Sequence, residues 1–248
     1  MKIKSLSVIC SLGILTLLGS CAKEGPNGPT GPAGPSFTGS ISGHVKLYDK
    51  YGSEVTTGLS SVKLSLNGAA AINPNSTGAY TYGSITTGMY TITASDSAYA
   101  STLSYLNFVS GALNKDVKLS ALPDSFVYSL KAYHNTGSAN DSLVLTFKTD
   151  TRVRYCIVFA NNTAAIGNLP GYYLWNRVLS ISPTAPSVTI VVPGQDLTDV
   201  GMVSGARVYY ATYSYVVNDA SVYEDVTTGK NVYNAVNSLP VIDSAIVP

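Results

Sequence analysis

Short runs of β-branched and aromatic residues, each stopped by a cluster of turn formers, recur along the chain from Gly39 onward. Val62-Lys63-Leu64-Ser65-Leu66 shows the unit: apolar and polar side chains alternate with the two-residue period of a strand, and Asn67-Gly68 then marks a tight reversal. No stretch of comparable length keeps a helical period. The spacing therefore predicts strands at 41–48, 62–66, 79–82, 88–94 and 117–119. Ala121-Leu122-Pro123-Asp124 reads as a short hinge, after which longer candidates follow at 126–133, 143–148, 152–160, 172–181, 188–192 and 206–217, with a final ribbon through Val222 and Val232. The expectation is an all-β chain with two β-sandwich domains, at 39–122 and 123–248.

The first twenty residues do not belong to this pattern. Lys2 and Lys4 precede an apolar run from Leu6 to Leu18, the order of a secretory signal. About 13 residues make a helix of about 20 Å, too short for a hydrocarbon layer of about 30 Å. The run ends in Leu18-Gly19-Ser20-Cys21, which resembles the lipobox of bacterial lipoproteins. That resemblance implies a signal peptide at 1–20, acylation of Cys21 and attachment to a membrane by several acyl chains, which hold far more firmly than one. Ala22 after the Cys favours the outer membrane, and Lys23-Glu24 is similar to part of a surface-export signal, so the expected address is that of a surface-exposed outer-membrane lipoprotein. Residues 21–38 form the lipidated Cys and a spacer. Within them 25–36 read as four Gly-Pro-X triplets that resemble collagen. So few triplets repay poorly the ordering of three chains. Each Pro instead favours an extended polyproline II spacer, which at about 3.1 Å per residue spans roughly 37 Å.

Two further resemblances rest on named residues. Ser42-Gly43-His44-Val45, Val62-Lys63-Leu64 with Asn67-Gly68, Ser76-Thr77-Gly78-Ala79-Tyr80 and Thr87-Gly88-Met89-Tyr90-Thr91-Ile92 together resemble the carboxypeptidase regulatory-like family. The family implies a prealbumin-like sandwich that accompanies enzymes, receptors and surface proteins without doing their chemistry. Val188 to Gly194, Leu197 and Gly205 to Tyr213 resemble the last strands of Ig-like fibronectin type III domains. There a corner Leu and a Tyr lock the turn between two sheets, roles this resemblance assigns to Leu197 and Tyr209. Val222-Tyr223-Glu224-Asp225 is similar to the motif opening that family's last strand.

Charge and side-chain chemistry narrow the function. Once Lys2 and Lys4 leave with the signal, basic and acidic residues nearly balance, which provides no field to attract nucleic acid. Cys10 leaves too and Cys21 carries lipid, so Cys156 stands alone in a buried strand and behaves as a small hydrophobe. His44 and His134 are the only histidines and lie far apart in sequence, a poor basis for a zinc site or a Ser-His-Asp triad. Asp219, Glu224 and Asp225 lack the alternating ligands of a calcium loop. No metal, cofactor or enzymatic activity is expected, and an unrecognised hydrolase is the least favoured alternative. Asp96-Ser97-Ala98, Asp141-Ser142-Leu143 and Asp243-Ser244-Ala245 resemble the acceptor triplet of a bacterial O-glycosylation system.

Trp175 with Tyr172 and Tyr173 is the candidate ligand contact, because aromatic faces give flat, low-entropy contacts to sugars or proteins. Eighteen tyrosines also suit the plain work of building sheets. The function expected is a membrane-anchored, non-catalytic display of binding or adhesion modules for a polysaccharide or an envelope protein partner. The alternative is an assembly subunit of an outer-membrane complex.

Overall fold

The alternation around Gly43 produces the strand on which the N-terminal half is built. In the computed structural model, which describes residues 37–134, 137–218, 220–237 and 239–248, Thr38–Tyr48 forms β1 and buries Ile41, Gly43, Val45 and Leu47 on one face. The signal, Cys21, the Gly-Pro triplets and Asp219 lie outside these residues. Next come β2 (Glu54–Val55), β3 (Lys63–Leu66), β4 (Ala79–Thr86), β5 (Gly88–Asp96), β6 (Tyr99–Phe108), β7 (Gly111–Asn114) and β8 (Val117–Ser120). On one side β1 pairs antiparallel with β2 and β4; on the other it pairs parallel with β7 and then β8. The change from β7 to β8 is held by Lys115 N–H donating to the Ser42 carbonyl (2.7 Å) and by Asp116 Oδ1 accepting the His44 N–H (3.0 Å). A Cβ on Gly43 would run into the Lys115 carbonyl, so the glycine is what lets the parallel strands lie so close.

The second sheet of this half runs β3-β5-β6. Between the two sheets sit Ile41, Leu47, Leu64, Tyr80, Ile92, Phe108 and Leu119. Asn67 and Gly68 both take positive φ, as the turn signal demands, and send the chain back so that Ile72 bridges Leu64. Gly78 at φ +83° precedes Tyr80, which enters the core as the sequence leads one to expect.

The C-terminal half contains β9 (Val127–His134), β10 (Asn140–Phe147), β11 (Arg154–Asn161), β12 (Trp175–Ile181), β13 (Ser187–Pro193), the one-and-a-half-turn helix α1 (Gly194–Asp199), β14 (Arg207–Tyr215), β15 (Val222–Asp225), β16 (Lys230–Tyr233) and β17 (Val241–Ile246). Three strands, β13-β10-β9, face four, β12-β11-β14-β17. Leu143, Leu145, Cys156, Val158, Ile190, Val192, Leu197 and Tyr210 fill the space between. The chain is all-β, and among the described residues no helix is long and apolar enough to cross a membrane.

Two expectations need correction. The strand that closes the four-stranded sheet beside β14 is β17, not a strand opened by Val222-Tyr223-Glu224-Asp225, which instead pairs with Lys230–Tyr233 as a separate ribbon. The tyrosine of β14 that enters the core and links the two sheets, through Asp141, is Tyr210 rather than Tyr209. With a side-chain period of two, a shift of one residue exchanges the faces of the strand. Tyr210 is thus fully buried, while Tyr209 stays at the surface boundary. Leu197 is buried as expected, on α1.

The four-stranded sheet is buried on its second face as well. Ile157 and Phe159 from β11, and Ala211, Tyr213 and Tyr215 from β14, meet Ile166, Tyr173, Tyr233, Ala235 and Val236, together with Ala100 of β6. Phe159 is the hub, with ring centroids 5.1 Å from Tyr173, 5.5 Å from Tyr233 and 5.8 Å from Tyr213. The edge contacts suit aromatic quadrupoles. Two hydroxyls at the border of this cluster find partners: Tyr173 donates to the Asn231 carbonyl (2.5 Å) and Tyr233 to Asn176 Oδ1 (2.9 Å). Ala100 is where the two halves meet, and Asn218 Nδ2 to Ser120 Oγ (3.0 Å) and Asn234 Nδ2 to the Ser101 carbonyl (3.0 Å) extend the junction.

Phe159→Ala removes the hub from a site with no solvent to fill it. The expected cost is about 3–5 kcal/mol in urea unfolding, whereas Tyr128→Ala at an exposed position changes stability by less than about 0.5 kcal/mol. Equal effects of the two substitutions would contradict this assignment of the hub.

Candidate functional site

The structure divides the aromatic trio singled out in the sequence. Trp175 opens β12 opposite Ala160 and packs, half-buried, against the core between the sheets. Tyr173 is 5% exposed and belongs to the Phe159 cluster. Tyr172, at 49% exposure, alone reaches well into solvent. These side chains do not form one platform, because the chain enters its strand only at Trp175 and the residues before it follow a loop.

Cys156 is fully buried in β11, and desolvation pushes its thiol up to about 12, which leaves almost no thiolate at neutral pH. Among the described residues no three His, Cys, Asp or Glu side chains converge on a metal-sized space. Asp225 accepts the N–H groups of Thr227 and Thr228 and the Thr228 hydroxyl, and these bonds lower its pKa. It is a turn cap.

His134 and Asp141 do come together. They sit opposite one another on β9 and β10, with Nδ1 3.2 Å from Asp141 Oδ1, and the Tyr210 hydroxyl from the facing sheet donates to Asp141 Oδ2 at 2.7 Å. Asp141 has no solvent exposure. Burial raises its pKa, against the pull of the bonds from Tyr210 and His134. Tyr210 is likewise pushed up by burial and then by Asp141. The network offers no nucleophile to substrate; it ties one sheet to the other. Asp141-Ser142-Leu143 lies inside a paired strand, and of the three serines in such triplets only Ser97 is exposed, on the turn between β5 and β6.

A more open concave surface lies elsewhere, where β6, the β7–β8 turn and β15 converge. This cleft of about 450 Å³ is walled by Thr102, Ser104 and Tyr105 from β6, by Lys115, Asp116 and Lys118, and by Tyr223 and Glu224 on β15. Tyr105 points away from the core that Leu106 and Phe108 enter. Tyr223 faces it from the other half, and its pKa is raised by burial first and then by Tyr105 and Asp225. Asp116 is pinned as an anion by the His44 N–H and by Lys46 at 3.3 Å. A smaller cavity at the junction, about 40 Å³, is closed by the Lys50–Asp124 ion pair (2.5 Å) and by Arg154 stacked over Phe126. Its charges already have partners. The cleft escaped the sequence because its walls are three segments more than a hundred residues apart at the extremes; β6 itself was missed because Ser101, Thr102 and Ser104 blur its alternation.

No protein-family model matches the chain, nor does any curated protein. The carboxypeptidase regulatory-like and fibronectin resemblances therefore rest on the residues alone. Among solved structures, a Bacteroides uniformis protein described as a candidate carbohydrate-binding protein is 16% identical over 85% of this chain and 99% of its own length, with a TM-score of 0.33. A DUF3823 family protein from Parabacteroides merdae is 13% identical over 84% of this chain and 100% of its own, TM-score 0.28. One from Bacteroides ovatus is 14% identical over 82% and 98%, TM-score 0.27. Likeness at these scores carries no argument about this chain.

The raised pKa of Asp141 has a definite sign. At pH values where an unfolded Asp has ionised, above about 4, the folded carboxyl lags behind, so its contribution to stability falls as pH rises towards its folded value. Asp141→Asn keeps an acceptor for Tyr210 without the charge. Its stability relative to the natural chain should rise between about pH 4 and pH 7, followed by urea unfolding. Asp141→Ala leaves the Tyr210 hydroxyl buried and unpaired, at a cost of about 1–3 kcal/mol at either pH.

Proposed function

We propose that the chain is a non-catalytic envelope protein, anchored to the outer membrane by lipid on Cys21, that displays two β-sandwich domains outward to bind a polysaccharide or a surface partner. The cleft bounded by Tyr105, Lys115, Tyr223 and Glu224 is the observation that carries the binding part. It is concave, its walls stand on strands rather than on loops alone, and it mixes aromatic faces with hydrogen-bonding groups, as ligand sites do. Leu18-Gly19-Ser20-Cys21 supports the anchor, and Lys23-Glu24 the outward address. The Gly-Pro triplets then act as a spacer that lifts 39–122 and 123–248 away from the lipid.

In native cells grown with an alkyne-bearing fatty acid, the protein should carry the label and partition with membranes, and proteinase K should digest it on intact cells. Cys21→Ser should abolish labelling and leave the unprocessed or soluble form. A labelled chain resistant to protease on intact cells would place it on the inner leaflet; an unlabelled natural chain free in solution would end the anchored reading.

A further inference from the structure

We infer that the cleft between β6, β8 and β15 takes a stretch of uncharged oligosaccharide lying across both halves of the protein, with Tyr105 and Tyr223 as the rings that sugar faces stack upon. This rests on the binding reading above and names the ligand class for that same cleft. Three observations select the class. The first is charge: Lys115 and Lys118 on the walls are matched in number by Asp116 and Glu224, so the wall charges sum to zero. A polyanion would meet two carboxylates, one of them held ionised by Lys46 and the His44 N–H, and a polycation would meet two ammonium groups. A polyol, with a donor and an acceptor on each hydroxyl, uses both kinds of wall.

The second observation is the aromatic pair. Tyr105 stands on the outer face of β6 beside Thr91 of β5, and Tyr223 on β15 beside Val232 of β16. Each ring is half-buried on a paired strand, and a tyrosine has only two χ angles to order on binding. Flat apolar faces with polar tips suit the faces and rims of sugar rings. Ser104 and the largely buried Thr102, on the other face of β6, add neutral hydroxyls at the strand's edge. The third is size: about 450 Å³, within the usual range of about 300–1,000 Å³ for small-ligand sites, and open rather than enclosed, which accommodates a segment of a longer chain.

Because the walls come from both halves, bound glycan also clamps the junction at Asn218–Ser120 and Asn234–Ser101. Ligand that binds only the folded state raises its stability by mass action. A melting temperature that climbs with polymer concentration is therefore expected.

The test uses the mature lipidated protein in detergent, titrated calorimetrically with laminarin, xyloglucan, galactomannan and polygalacturonate. At least one neutral polymer should bind, with an affinity nearly the same at about 50 and 500 mM salt. Tyr105→Ala and Tyr223→Ala should each weaken it about tenfold or more, Tyr105→Phe and Tyr223→Phe much less, and Tyr172→Ala not at all. Glu224→Ala, an exposed change that does not put folding at risk, should weaken it several-fold. Neutral-polymer binding that ignores the Tyr105, Tyr223 and Glu224 changes would overturn this assignment while leaving the display reading intact, as would salt-sensitive binding of polygalacturonate alone. If no polymer binds and a native-envelope pull-down instead retains a protein that Tyr223→Ala releases, the occupant is a protein and the glycan assignment fails. If neither polymer nor envelope partner is retained, the binding reading fails with it.

Discussion

Burial of the second face of the β12-β11-β14-β17 sheet is the constraint from which the remaining architecture follows. An antiparallel sandwich ordinarily packs one face and wets the other. Here the side chains of β11 from Cys156 onward and most of those of β14 are buried, whichever way they point. Phe159, Tyr173, Tyr213, Tyr215 and Tyr233 each have an aromatic surface of about 150–250 Å² to withdraw from water, and at about 25 cal/mol per Å² each represents several kcal/mol as an upper bound. Such a face requires a cover. The loop through Ile166 and Tyr173, the β15–β16 ribbon and the segment at Ala235-Val236 supply it, and Ala100 from the N-terminal half completes it. Tyrosine serves better than phenylalanine at the rim of this cluster, because Tyr173, Tyr215 and Tyr233 carry their hydroxyls out to Asn231, Ser221 and Asn176.

The cleft is a geometric consequence of that cover. The ribbon that shields Phe159 continues the chain from Ala220 to Asp225, and the same docking that seats Ala100 brings Tyr223 opposite Tyr105. The described residues from Phe37 to Pro248 accordingly belong to one compact unit. A sandwich pair joined only by the short hinge at Ala121 to Asp124 would leave Tyr105 and Tyr223 on surfaces that move independently. Joined through an aromatic cluster and two asparagine bridges, they present a fixed spacing, which is what a ligand with its own rigid geometry requires.

How much of this was legible follows from which signals are local. Val62 to Leu66 with Asn67-Gly68 announced strand and turn because alternation and positive φ are properties of neighbouring residues. The run Tyr155 to Phe159 read as a buried strand, yet nothing in it distinguishes burial under one sheet from burial under two layers. β17 was missed although Val241 to Ile246 is rich in β formers, since Ile242 and Ile246 face outward and weaken the pattern. Tyr209 and Tyr210 are adjacent, so only the pairing of Tyr210 with Ala160 decides which of them enters the core. Tyr105 and Tyr223 carried no signal as a pair, because proximity across the junction depends on how distant segments dock.

The Asp141 network explains why docking of the two sheets beneath this cluster has one solution. Apolar contacts are non-directional, and Leu143, Val158, Val192 and Val208 carry no group that demands one particular partner. A buried carboxyl is different, because its desolvation is offset, and only in part, where Tyr210 from one sheet and His134 from the neighbouring strand both reach it. Any slip of β14 against β10 leaves Asp141 without its hydroxyl donor, and an unpaired buried polar group costs about 1–3 kcal/mol. The aromatic cluster thus contributes apolar burial and Asp141 selects the alignment. With β14 fixed in register, Tyr213 and Tyr215 fall beneath the ribbon, and Tyr223 is carried to the edge of β6.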